Sequence, residues 1–82
     1  MYELKYSEKS LRQLEKFDLT LRDRILKSLE RIRIRPYSFI KRIVGSSYFR
    51  LRVGDYRIIL DIQNKVLIIH IVEVGHRKKI YK

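Results

Sequence analysis

The sequence contains no cysteine, only two histidines, and nine acidic residues among 82. Without cysteine there is no disulfide and no thiolate metal site. The two histidines stand in no cluster with zinc-ligand spacing, so no metal and no other cofactor is expected. Long apolar runs are also missing, and nothing approaches the ~20 residues of a membrane span. The opening Met1-Tyr2-Glu3-Leu4-Lys5 carries no apolar signal region. The expected location is the cytoplasm, with no membrane contact.

The few acids face twenty Lys and Arg, for a formal net charge of +11. Residues 1–40 carry ten basic and six acidic side chains, and residues 41–82 carry ten and three. Arg77, Lys78, Lys79 and Lys82 follow one another with no acid between them. Such a field exceeds what solubility requires and favours a polyanion: nucleic acid, an anionic membrane face or an acidic protein. With 45% hydrophobic and 35% charged residues, the chain has the composition of a folded domain. Residues 1–82 make a single domain, and one this small buries only ~60% of its unfolded surface. The long apolar side chains therefore belong to the core, and function falls to the polar remainder.

Alternation from Tyr2 to Tyr6 predicts a half-buried strand. Ser7 is a suitable N-cap for a helix over 8–17, with Leu11, Leu14 and Phe17 on its apolar face. Asp18 and Leu19 interrupt it, and Thr20 with Asp23 three residues on resembles a capping box for a second helix. That helix is expected to reach about Ile34, because Leu21, Ile25, Leu29 and Ile32 form an apolar stripe. Pro36 closes it. Residues 37–47 read as irregular. The period then turns strand-like over 48–53, 56–62 and 66–73, with Gly54-Asp55 and Asn64-Lys65 as two-residue turns. The fold class is α+β: an N-terminal strand, an antiparallel helical hairpin, a three-stranded antiparallel meander and a basic C-terminal tail.

A two-residue loop at Gly54-Asp55 pairs Val53 with Tyr56, Arg52 with Arg57 and Leu51 with Ile58. One face then collects Phe49, Leu51, Val53, Tyr56, Ile58, Leu60 and Ile62, which must be the core. The other collects Tyr48, Arg50, Arg52, Arg57, Ile59 and Asp61. Like charges directly opposite weaken a sheet by up to ~1 kcal/mol. A bridging phosphate relieves that repulsion, and the planar guanidinium fork suits it. Asp61 is the one acid on this face that could neutralise an arginine instead. With Asn64-Lys65 as the next turn, His70 and Val72 join the arginine face while Leu67, Ile69 and Ile71 enter the core. A three-residue loop would instead turn His70 inward, where it needs a polar partner.

Two segments carry a family likeness: Phe49-Arg50-Leu51-Arg52-Val53-Gly54-Asp55-Tyr56-Arg57 and Val74-Gly75-His76-Arg77-Lys78-Lys79-Ile80-Tyr81. In this order and spacing, over nearly the whole chain, the sequence resembles the RelE/ParE toxin superfamily. The resemblance implies a fold like that of small microbial ribonucleases and a toxin of a type II toxin–antitoxin system. It implies metal-independent cleavage of messenger RNA on the ribosome, inhibition of translation, and neutralisation by a RelB-like acidic antitoxin in a hetero-oligomer. In the implied reaction the 2′-hydroxyl attacks the adjacent phosphate and the 5′-oxygen departs, leaving a 2′,3′-cyclic phosphate.

By the same resemblance Arg57 stabilises the charged transition state and Arg77 lies near the leaving oxygen. Tyr81 orients or stacks on the nucleotide, and Arg50 falls where some members place a catalytic lysine. Arg52, Lys79, Lys41 and Arg42 are candidate RNA contacts. The acid or base is open among His70, His76, Lys41 and a displaced lysine, since arginine is a poor proton acceptor. The Glu–His pair of related toxins has no evident counterpart on the arginine face. Two alternatives share the scaffold or the charge: a ParE-like toxin acting on DNA gyrase, and a basic RNA-binding protein without catalysis.

Overall fold

A computed structural model describes residues 1–76. The leading alternation forms strand β1 (Glu3–Tyr6). Ser7 then caps helix α1 (Glu8–Glu15), its Oγ accepting from the Ser10 N–H at 3.0 Å. Helix α2 spans Leu19–Ile32, and its N-cap is Asp18, whose carboxylate accepts from the Leu21 N–H at 2.8 Å. The expected Thr20–Asp23 box is not used, because an acid two residues earlier already reaches the third N–H of the helix. Ile25, Leu29 and Ile32 are buried as the stripe required. Leu11 departs from expectation: it is 47% exposed, while Ser10 is buried and donates its hydroxyl to the Ser7 carbonyl at 2.8 Å. Residues four apart share a helix face, so Ser10 and Leu14 turn inward together and Leu11 overhangs the rim.

Arg22 ties the two helices. Its Nε donates to the Leu14 carbonyl at 3.0 Å, and Nη2 donates to the carbonyls of Glu15 and Phe17, both at 3.1 Å. These oxygens lie at or just past the α1 C-terminus, where carbonyls lack helical donors and a cation is favoured. Arg22→Met keeps much of the stem's volume and removes three charge-assisted bonds. The expected loss is about 2 kcal/mol, read in a thermal melt as a Tm lower by roughly 10 °C. A Tm unchanged within about 2 °C would show that the cap contributes nothing.

Among the described residues the sheet has five strands in the order β1-β5-β4-β3-β2, with β2 at Ile40–Arg42, β3 at Phe49–Val53, β4 at Tyr56–Gln63 and β5 at Ile68–His76. β1 runs parallel to β5, and the other neighbours are antiparallel. After α2 a single 3₁₀ turn, Pro36–Ser38, leads into β2 within the segment expected to be irregular. Three residues give too short an alternation to read. β2 forms because Ile40 pairs with Leu51 and enters the core.

At the β3–β4 tip Gly54 has φ +59° while Asp55 has a negative φ, the pattern of a type II′ turn. A Cβ at Gly54 would also stand 3.1 Å from the Arg24 guanidinium. The β4–β5 connection is a four-residue turn, 64–67, rather than the expected two, with Leu67 at φ 54°. Asn64 anchors it by accepting from the hydroxyls of Tyr2 (2.8 Å) and Tyr37 (3.0 Å). Two and four share parity, so Ile69, His70 and Ile71 keep their expected faces, while Leu67, expected in the core, lies in the longer turn and is exposed.

Both helices contribute to a core on one face of the sheet. Ile25, Leu29 and Ile32 of α2 and Leu14 of α1 cluster with Leu51, Val53, Ile58, Leu60, Ile69, Ile71 and Val74. β5 outruns β1 beyond Ile71, and residues beside it in α1 serve its backbone there. Ser7 Oγ donates to the Val72 carbonyl at 2.7 Å, and the Val74 N–H donates to Gln13 Oε1 at 2.7 Å.

Candidate nucleic-acid interface

The hairpin register holds as the sequence required: Val53 faces Tyr56, Arg52 faces Arg57 and Leu51 faces Ile58. Arg50 faces Ile59 on β4 and Lys41 on β2. The face opposite the helices therefore carries Arg57 and Arg52 in one row, and Arg50 and Lys41 in the next. Successive rows are about 6.7 Å apart. Among the described residues no ion pair joins Asp61 to any of these arginines; the four salt bridges described involve other residues, on the helices and at Glu73 and Arg33. Asp61 therefore does not neutralise these arginines.

Arg57 lies deeper than the alternation alone suggests. It is 8% exposed, as is its strand neighbour Ile59, while Arg52 is exposed and Arg50 is half-buried. In a medium of lowered dielectric a guanidinium attracts an anion more strongly than in water. A β-bulge shapes this spot. The β4–β5 register shifts by one residue between Ile59 and Leu60, so that Ile58 pairs with Val74, Arg57 with Gly75 and Tyr56 with His76. Unbroken alternation would have put the Glu73 carboxylate in the core and Val74 beside Arg57. The extra residue buries Val74 instead, at 1% exposure. It leaves Gly75, with no side chain, next to the arginine.

The remaining site residues divide. Lys41 shares the arginine face, but Arg42 pairs with Phe49 and lies on the helix side, its guanidinium carbon 5.4 Å from that ring's centre. His70 is on the arginine face, across from Asp61, where the parity argument put it. His76 pairs with Tyr56 on the helix side, and the two rings meet edge-on at 5.4 Å. Neither histidine shares a row with Arg57 on its own face. Arg77, Lys79 and Tyr81 lie outside the described residues. A cleft that sequence reading did not single out joins Tyr48, Asp61, Gln63 and His70 on the arginine face. Its signal in the sequence is the open-face parity of Tyr48 and Asp61. Among the described residues no helix is long and apolar enough to cross a membrane.

Among the described residues, a five-stranded mixed sheet with two helices on one side is an arrangement shared with solved RelE toxins. The isolated Escherichia coli RelE toxin superposes with a TM-score of 0.80 at 20% identity, covering 99% of this chain and 92% of that one. A chain of the RelB–RelE antitoxin–toxin complex from Methanococcus jannaschii gives 0.74 at 27% identity, covering 95% of each. A chain of the RelBE2 toxin–antitoxin complex from Mycobacterium tuberculosis gives 0.82 at 22%, covering 93% and 98%. No curated protein matches at a significant level. The family model for the ParE toxin of type II toxin–antitoxin systems, parDE, matches residues 4–81. The chain belongs to that family, and is a type II toxin with a RelE-like fold.

Proposed function

We propose that this toxin is a metal-independent endoribonuclease that cleaves messenger RNA on the ribosome and so stops translation. The observation that supports it most is the facing pair Arg52–Arg57, backed by Arg50 and Lys41 on the same face. Phosphoryl transfer needs positioning and fixed positive charge around the developing anion more than it needs covalent chemistry from the protein. RNA supplies its own nucleophile: the 2′-hydroxyl attacks the adjacent phosphorus, the bond to the 5′-oxygen breaks, and a 2′,3′-cyclic phosphate remains. In this reading Arg57 holds the phosphoryl oxygens, Arg52 and Arg50 hold the flanking backbone, and Arg77 and Tyr81 act as the family resemblance implies.

The related complexes contain RelB antitoxins, and we carry that kind of partner to this chain. An acidic segment that folds on binding suits a surface dominated by Lys and Arg. A second reading, a ParE-like toxin acting on DNA gyrase, is favoured by the family model being that of ParE toxins.

Controlled expression separates them. The expected result is an immediate halt in protein synthesis, with primer extension showing new message ends in translated regions, and no cuts when Arg77→Ala is expressed to the same level. DNA damage preceding the halt, with intact messages, would favour the gyrase reading. Uncut message with salt-sensitive RNA binding would leave a non-catalytic RNA-binding protein.

A further inference from the structure

Asp61 is at odds with its surroundings. It sits on the face that gathers Arg50, Arg52, Arg57 and Lys41, yet among the described residues it forms no ion pair with them. On a surface that binds only the sugar–phosphate backbone, a carboxylate repels the ligand and offers nothing in return. Its neighbours suggest what it does. His70 faces it from β5, and Tyr48 comes alongside where the Phe49–Leu60 register runs back by one residue. With Gln63, and with Ser7 and Val72 on the rim, these side chains line a cleft of about 260 Å³. Tyr48 is 39% exposed, so its ring is available for contact.

An aromatic ring, a carboxylate and a side-chain amide around one small cleft match a nucleobase rather than a phosphate. Unstacked bases in single-stranded RNA are held by stacking on aromatic rings and by hydrogen bonds to the Watson–Crick edge. The carboxylate narrows the choice. Guanine alone presents two adjacent N–H donors, N1–H and the N2 amino group, to match two acceptor oxygens. Adenine and cytosine offer one amino donor beside a ring nitrogen that repels a carboxylate, and uracil offers one N–H between two carbonyls. Gln63 carries an amide N–H that can serve guanine O6.

We propose that the Tyr48–Asp61–Gln63–His70 cleft is a base-binding subsite that selects guanine in single-stranded RNA. Asp61 lies four residues from Arg57 along β4, about 13 Å. The selected base therefore belongs to a nucleotide flanking the phosphate at Arg57, and Asp61 sets which sequence is held. The inference rests on the reading that this face binds RNA.

The test is binding of fluorescein-labelled 2′-O-methyl hexanucleotides, which lack the nucleophile and stay intact, measured by anisotropy at low salt. One set carries a single guanine in a uridine background, a second carries inosine there, and a third is uridine throughout. Wild type should bind the guanine oligonucleotide about ten-fold tighter than the inosine one, which lacks only the N2 amino donor. Asp61→Asn should bind those two equally, and Tyr48→Ala should bind all three about ten-fold more weakly. Arg57→Ala should weaken all three while keeping the guanine preference. Wild-type binding with no guanine preference, or a preference that persists in Asp61→Asn, overturns the subsite and leaves the RNA reading standing. No binding to any oligonucleotide overturns the subsite, while the RNA reading is decided separately by the mapping of message ends in expressing cells. The inosine comparison uses the unaltered protein, so it decides the matter even if a variant does not fold.

Discussion

Arg57→Ala is expected to lower message cleavage by about 10²–10³-fold, the effect of losing a preorganised donor to a developing oxyanion. Arg57 is placed for such an effect by three features: its cross-strand partner Arg52, the bare Gly75 on its other side, and its 8% exposure. Arg57→Lys should recover only part of the loss, since an ammonium supplies charge without the planar two-donor fork. The measurement is primer extension at matched expression, with thermal melts confirming that each variant is folded. A folded and inactive Arg57→Ala is the expected pair of results. Cleavage by folded Arg57→Ala within about three-fold of wild type would remove Arg57 from the reaction.

The second large effect concerns the scaffold. Leu60 is completely buried and sits where the β4–β5 register shifts, with Ile71 and Phe49 as its cross-strand partners. Leu60→Ala should cost about 3–4 kcal/mol through lost transfer energy and the cavity left behind. For a domain this size that is a Tm lower by roughly 15–25 °C. Activity of the folded fraction at low temperature should persist, because Leu60 points away from the arginine face. Leu60→Met, close in volume, should cost under about 1.5 kcal/mol. A loss for Leu60→Ala below about 1 kcal/mol would mean that the core closes around the gap.

The central hairpin was readable because its turn is short and its alternation strict. With Gly54-Asp55 as the loop, the positions of Arg52, Arg57, Leu51 and Ile58 follow from chain geometry. His70 was placed on the right face although the turn before it is four residues long, since only parity matters for facing. The bulge was not legible. Its clue, a Glu73 that unbroken alternation would bury, lay where the expected strand stopped. β2 was too short for a periodic signal, and so the separation of Lys41 from Arg42 onto opposite faces could not be foreseen. At the helices, local hydrogen bonding overrode motif matching: Asp18, not Thr20, opens α2. Arg57 was assigned to the correct face, but its depth depends on tertiary surroundings that no pattern along the chain encodes.

The hydrogen bonds from Ser7 and Gln13 to the projecting end of β5 also bear on how this protein behaves when concentrated. A bare strand edge is a template on which another chain can lay its own backbone, and growth by such addition ends in fibres. Here that stretch is occupied by side chains of its own molecule, and the far margin of the sheet is a three-residue strand bearing Lys41 and Arg42. Both devices discourage copies from joining sheet to sheet, so a chain rich in isoleucine and valine can stay dispersed without cysteine bridges or a large core.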